Sequence, residues 1–341
     1  MKITDSREYI MLKKILYLVS SLLLITACKT NPPTESEPPQ VTLGKVFVNA
    51  NQVGSKIYLN DVFTGKFTPD TLTLSEGDYS IKVVKEEVPK LVLIEDFANV
   101  SCIPCVQSNK ILESLSNIRF GRNKMTVIKF PTNFPFPNDP FYLAAQGDCN
   151  SRISYYNIFF APSTVTDGTE RPISTDSLDV IAKVEARLDS LPRFDVSVSA
   201  NLSGGDYLIT VNVKLIAKYF PSIQSVTINH GDVKTLNYNL FLDTTPISYS
   251  DLVLHTVVTE TDIEFSSPPG SNGETKFYDV LRKMLPSDDG QSLSTLEQNG
   301  EESYQYQITV NSGWNSDNLN VVTFVQDKVT KQVYQTGSTF E

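Results

Sequence analysis

The sequence predicts a multidomain α+β chain, with β structure at both ends and an α/β unit between them. Three observations carry that expectation. Short alternating strands broken by turn signals fill residues 44–88. A near-continuous apolar strand followed by Cys102-Ile103-Pro104-Cys105 opens the middle. Alternating segments then return from 193 to 341. With 341 residues the chain is too long for one ordinary core, and 40% hydrophobic against 20% charged residues describes a folded body. Lys and Arg number 29 against 39 Asp and Glu, a net charge of −10. Residues 1–27 hold four of the bases and two of the acids, so the remainder is more acidic still. Such a surface repels phosphate backbones, which excludes nucleic acid as a partner.

The chain opens on an export signal over residues 1–27. Lys13 and Lys14 precede an apolar run from Ile15 to Ile25, too short to cross a bilayer and followed by Thr26-Ala27-Cys28. The charged stretch before Met11 is unlike an n-region, so Met11 is the expected start. Ala27-Cys28 resembles the bacterial lipobox, which implies cleavage before Cys28, lipidation of that cysteine and a membrane anchor through the lipid. An ordinary cleaved signal with a chance cysteine is the alternative. Residues 28–43 carry four prolines and no apolar period, an extended linker. Lys29 after the lipid cysteine favours the outer membrane by resemblance to sorting signals, with the body facing either the periplasm or the cell surface.

Segments 44–51, 56–60 and 78–84 alternate between turn signals at Gly54, Asn60-Asp61, Thr64-Gly65, Pro69-Asp70 and Glu76-Gly77, a small β-sandwich. The order of these strands and turns resembles the PEGA module of envelope proteins. No residue in it looks chemical, and a spacer or docking role follows.

In residues 90–192 the period changes. Leu91 to Phe97 reads as a buried parallel strand, a helix follows the C-x-x-C, and Met125–Phe130 is a second strand. A helix over 141–156, a strand with a tight turn over 161–168, and a helix over 176–191 capped by Asp176 or Thr175 complete the unit. A cysteine at a helix N-terminus meets free N–H groups that stabilise its thiolate, and a spacing of three lets the second sulfur reach the first. Cys102 is the expected nucleophile and Cys105 the resolving thiol. Pro104 sits where a missing N–H costs little.

This order of elements resembles the thioredoxin fold. The resemblance implies that Asp96, six residues before Cys102, assists proton transfer, and that Ala161-Pro162 is a cis bond beside the cysteines. Glu95 could take the part of Asp96. Ser101 and Ile103 depart from the family, where tryptophan and glycine stand. The residues alone leave three readings of the pair: redox exchange, an inert disulfide and a metal site. Metal wants four ligands, and only Cys149, His230 and His255 remain. Cys149 reads as a buried thiol, and the two histidines as structural.

Over 193–341, strands are expected at 194–200 and 207–213 around Ser203-Gly204-Gly205-Asp206, then near 224–229, 237–242, 252–259, 303–310, 320–325 and 331–336. Only Tyr278 to Leu285 looks helical. The reading is an antiparallel, immunoglobulin-like β-sandwich, and Trp314 is one aromatic for its core or for a binding face. Leu91–Phe97 with the C-x-x-C, Val257–Glu260, Asn272-Gly273, Val280–Pro286 with Gly290, and Val321–Asp327 with Lys331 and Val333 resemble the outer-membrane lipoprotein family named for a 28-kilodalton outer membrane protein. That resemblance spans 90–341 and implies location and architecture. The expected function is thiol–disulfide exchange on the thiols or disulfides of envelope proteins, with no organic cofactor and no metal. The rival is a binding or structural lipoprotein on a redox-inert thioredoxin scaffold.

Overall fold

The computed structural model describes residues 43–340 apart from 295 and 297–299. The expected signal, Cys28 and the linker up to residue 42 lie outside the described residues. The molecule is β-rich, with several sheets.

The first segment holds β1 (Gly44–Ala50), β2 (Lys56–Leu59), β3 (Val62–Phe67), β4 (Asp70–Leu74) and β5 (Gly77–Val84). Val46, Val48 and Ala50 alternate inward along β1. Asn60 and Asp61 both take positive φ, so β2 and β3 meet in the tight two-residue turn whose twist suits a hairpin.

The middle segment runs β6 (Val92–Ala98), α1 (Cys105–Ser114), β7 (Met125–Pro131), α2 (Pro140–Ala144), α3 (Gln146–Tyr156), β8 (Ser163–Thr166) and α4 (Ser177–Leu188). β6 is buried along its whole length, parallel to β7 on one side and antiparallel to β8 on the other. Val92 and Ile94 point to one face, under Leu112, Leu115, Val180 and Val184. Leu93 and Phe97 point to the other, against Cys149 and Tyr156. Asp176 caps α4 by accepting from the N–H groups of Leu178 and Asp179. The single helix expected over 141–156 is two, broken at Ala145 (φ −136°, ψ 37°).

The last segment holds β9 (Phe194–Ser203), β10 (Asp206–Leu215), β11 (Ser222–Ile228), β12 (Val233–Tyr238), β13 (Leu252–Glu260), β14 (Ile263–Glu264), β15 (Lys276–Phe277), β16 (Val280–Leu285), β17 (Gln291–Ser292), β18 (Glu301–Thr309), β19 (Leu319–Asp327) and β20 (Val333–Ser338). The expected self-contained sandwich over 193–341 is corrected in three ways. First, β11 and β12 leave it: β11 pairs antiparallel with β5, and β12 pairs parallel with β1. The five strands of the first segment leave one side of their core open, and Val226, Ile228, Tyr238 and Leu240 close it against Val46, Ile57 and Ile81. Alternation marks a strand but not its partner, so the sequence could not reveal this exchange.

Second, β16 joins β13 to β7, giving an eight-stranded sheet ordered β20-β19-β13-β16-β7-β6-β8, with β17 beside β13. The core follows the sheet, so Val257, Leu281, Met284, Val322 and Phe324 pack with Leu93 and Phe97 across the expected boundary at 192/193. The three-stranded sheet β18-β10-β9 covers the far end of this long sheet.

Third, residues 280–285 are strand rather than helix. The pairing with β13 skips one residue at Arg282. That bulge brings Leu281 and Met284 to one face at a spacing of three, a spacing that mimics a helix in sequence.

A candidate redox site at the end of β6

Cys102 and Cys105 form a disulfide with Cα atoms 5.3 Å apart. β6 delivers the chain to Asn99, whose side chain holds the turn that follows. Its amide donates to the carbonyls of Thr132 (2.7 Å) and Phe136 (2.9 Å), and its oxygen accepts from the Ser101 N–H. Asp139, the cap of α2, accepts from the Val100 N–H at 2.9 Å. The Cys102 N–H donates to the Asn99 carbonyl, and the Cys105 N–H to that of Cys102. Cys105 is thus the first residue of α1, with Pro104 at the cap. The sulfurs pack against Ala98 and Ala161. Cys102 is only 2% exposed and Cys105 is fully buried, whereas Ile103 between them stands 73% exposed.

The Ala161–Pro162 bond is cis and lies beside the disulfide, since Ala161 touches the cysteine cluster. A groove of about 590 Å³ runs away from there, lined by Pro104, Phe160, Pro162, Thr164, Arg171 and Ile173. Phe159 and Phe160 on its edge are 81% and 68% exposed. Large apolar side chains left in water around a cleft mark a contact surface.

Adjacent residues of a strand point to opposite faces, and that separates Glu95 from Asp96. Glu95 lies on the Phe97 face. It accepts from Arg152 at 2.9 and 2.5 Å and from the Tyr156 hydroxyl at 2.6 Å, and Arg152 also donates to Gln326. Glu95 is thus tied into a closed buried network. Asp96 lies on the Ala98 face, the one the disulfide packs on. Its Oδ1 accepts from the Thr164 hydroxyl at 3.1 Å, while Oδ2 is buried without a hydrogen-bond partner. Burial pushes the Asp96 carboxyl up to about 6, with the Lys129 charge pulling the other way. Of the two carboxylates the sequence left open, Asp96 is the one on the Ala98 face with an oxygen left without a partner.

Two groups that the sequence did not single out complete the site. One is Asn99. The other comes from the last segment, where the loop between β14 and β15 rests on the cysteine turn. The Asn272 N–H donates to the Val100 carbonyl and the Ser271 N–H to the Ser101 hydroxyl. A Cβ on Gly270 would lie 2.2 Å from the Val100 carbonyl oxygen, so the contact requires glycine. Only the Asn272-Gly273 pair drew notice in the sequence, and nothing in it pointed to Cys102.

Cys149 is buried, and burial raises its thiol far above the usual range. His255 is buried against Phe324, and burial holds it neutral. His230 is exposed on a turn, and Trp314 packs on the core between the β9 and β13 sheets. Among the described residues, no group of His, Cys, Asp and Glu is arranged to hold a metal ion. No helix among them is long and apolar enough to cross a membrane.

The small sheets built on β1–β5 keep the expected strands at β1, β2 and β5, but Thr64-Gly65, expected as a turn, lies inside β3, and β4 follows as a further strand. Residues 43–88 match the PEGA domain family. The PEGA match ends before the cysteine site, which lies in the segment that follows. No curated protein matches the chain. Among solved structures, HBP35 of Porphyromonas gingivalis is similar at 13% identity, covering 75% of this chain and 76% of that one with a TM-score of 0.56. That likeness is one of fold. A protein of Agrobacterium tumefaciens, AGR_C_4864, is similar at 10% identity over 74% of this chain and 94% of that one, TM-score 0.43. A domain of the outer membrane lipoprotein Omp28 from Porphyromonas gingivalis is similar at 15% identity over 44% of this chain and 88% of that one, TM-score 0.24.

Proposed function

We propose that the chain is an envelope lipoprotein, anchored through lipid on Cys28, whose Cys102–Cys105 pair exchanges disulfides with envelope proteins from a thioredoxin-like unit. The observation that carries this reading is the buried Cys102–Cys105 disulfide packed on Ala98 and Ala161, with Asp96, whose Oδ2 is buried without a hydrogen-bond partner, on the same face of β6 as Ala98. A structural disulfide needs no buried carboxyl on its face of the strand. The order β6, α1, β7, α3, β8, α4 supports the thioredoxin-like assignment, with β8 turning back through a single bridge from Thr166 to Glu170. The resemblance in sequence to the 28-kilodalton lipoprotein family agrees with an envelope location.

In the reduced protein, the Cys102 thiolate attacks one sulfur of a substrate disulfide, forming a mixed disulfide and releasing a substrate thiolate. Asp96, largely ionised at pH 7, takes the proton of Cys105. The Cys105 sulfur then attacks that of Cys102, restoring the internal disulfide and releasing the second substrate sulfur. The substrate gains two electrons and the pair loses them; a dithiol donor in the envelope returns the pair to its starting state. Running the steps backwards oxidises a substrate dithiol.

The rival reading, an inert disulfide in a binding lipoprotein, is favoured by one observation, the 2% exposure of Cys102. Cys105→Ser discriminates the two. With a disulfide-linked test peptide, that variant should hold a mixed disulfide on Cys102, visible as the added peptide mass, which the wild type resolves. Failure of the reduced variant to take up peptide from an excess leaves the inert scaffold as the function.

A further inference from the structure

Asp96 and Lys129 are register partners on β6 and β7, yet no ion pair joins them among the described residues. Lys129 is nearly buried, and its ammonium is held instead by the Asn109 side-chain oxygen at 2.7 Å. Asn109 is in turn fixed by Glu274, donating to both carboxylate oxygens at 2.8 and 2.9 Å. Glu274 is itself set by Asn272, whose amide donates to it at 2.7 Å and also reaches the Cys102 carbonyl at 3.5 Å. The chain of contacts therefore runs from a loop of the last segment, through α1, to the lysine beside Asp96.

The charged groups acting on Asp96 are Lys129 from β7 and Glu274 from the loop. β8 and the turn before α4 present the Thr164 and Ser174 hydroxyls, which are neutral. A cation within reach of a buried carboxylate would hold it ionised. Here that cation is turned away.

We propose that Glu274 is a positioning residue of the cysteine site: by anchoring Asn109 it keeps the Lys129 ammonium off Asp96, so that Asp96 remains an acid able to carry a proton to and from the cysteines. The last segment thereby sets the chemistry of a disulfide it does not contain. Glu274 touches neither the cysteines nor the carboxyl it governs. This role deepens the exchange reading and rests on it for its purpose, but not for its test.

The test is the titration of the Asp96 carboxyl in the oxidised full chain, followed by carbon NMR of labelled aspartate. Glu274→Ala frees Asn109 and Lys129 and should lower the Asp96 midpoint by about one pH unit. In a Lys129→Met background the same substitution should move it far less, because the cation being positioned is gone. Asn109→Leu, which removes the acceptor for Lys129 and leaves the loop in place, should also lower the midpoint and serves if Glu274→Ala does not fold. An unchanged midpoint in these variants, or a Glu274→Ala shift as large in the Lys129→Met background as in the wild type, overturns the proposal. A shift that follows the expected pattern in a protein with no exchange activity would sustain the positioning role and sink the exchange reading.

Discussion

At the scale of the residue, the site turns on one buried carboxyl. Asp96 is raised in the folded chain to about 6 from the ordinary 3.8, so the native state binds a proton more tightly than the unfolded state. Native stability from this group is complete below pH 4 and is lost as pH rises toward 6. Above that, the ionised Asp96 costs about 3 kcal/mol, the free-energy equivalent of two pH units. Asp96→Asn should therefore raise the melting temperature of the oxidised protein by several degrees at pH 7.5, with the difference vanishing near pH 4. Thermal melts at the two pH values check this, and equal melting temperatures at pH 7.5 would mean that Asp96 carries no such burden. Spacing from the cysteines made Asp96 and Glu95 both legible in sequence. Which of them faces the cysteines was not, because the answer depends on strand parity, and the other is tied up by Arg152, 57 residues away. Asn99 and Glu274 were invisible for the same kind of reason: an Asn or Glu acquires its meaning from carbonyls and amides brought to it by distant chain.

At the scale of the element, most of the long strands were legible and their partners were not, while β3, β4 and β16 were missed. The turn residues Asn60-Asp61, the C-x-x-C helix and the capped α4 follow from local chemistry, and they stand where the sequence put them. Strands were expected near 224–229 and 237–242, which β11 fits and β12 overlaps only at its end, and both were assigned to the wrong sheet, since their alternation fits either. Their places beside β5 and β1 predict that residues 43–88 alone do not form a stable sandwich. Ile228, 1% exposed, fills the core between Val46 and Ile81. Ile228→Ala should cost about 2–5 kcal/mol in the full chain by chemical denaturation. The isolated 43–88 segment should show no cooperative melt by circular dichroism. A sharp melt of that segment would mean that β11 and β12 decorate the PEGA-like sandwich rather than completing it. Residues 280–285 teach a complementary lesson, because a bulge at Arg282 gave a strand the spacing of a helix.

At the scale of the whole molecule, three expected parts are interleaved. The sheet that begins at β8 beside the cysteine unit ends at β20, and one core runs beneath it. A cut in the short connection at 189–193 should therefore not release separable halves. After limited proteolysis there, the two fragments should co-elute on gel filtration and melt in a single transition, whereas independent domains would separate and melt apart. The composition, the boundary of the first segment and the cysteine unit were readable as local patterns. The joining of β16 to β7 was not, because a contact between residues 129 and 280 leaves no local trace.

The central claim is that the buried pair at the end of β6 is redox-active, and its reduction potential tests this most directly. Purified protein equilibrated in glutathione buffers, with free thiol counted on Cys102 and Cys105, should give a value between about −120 and −270 mV, the range of exchange catalysts. A value below about −300 mV, or a pair that reduces only when the protein unfolds, would mark a structural disulfide and contradict the account.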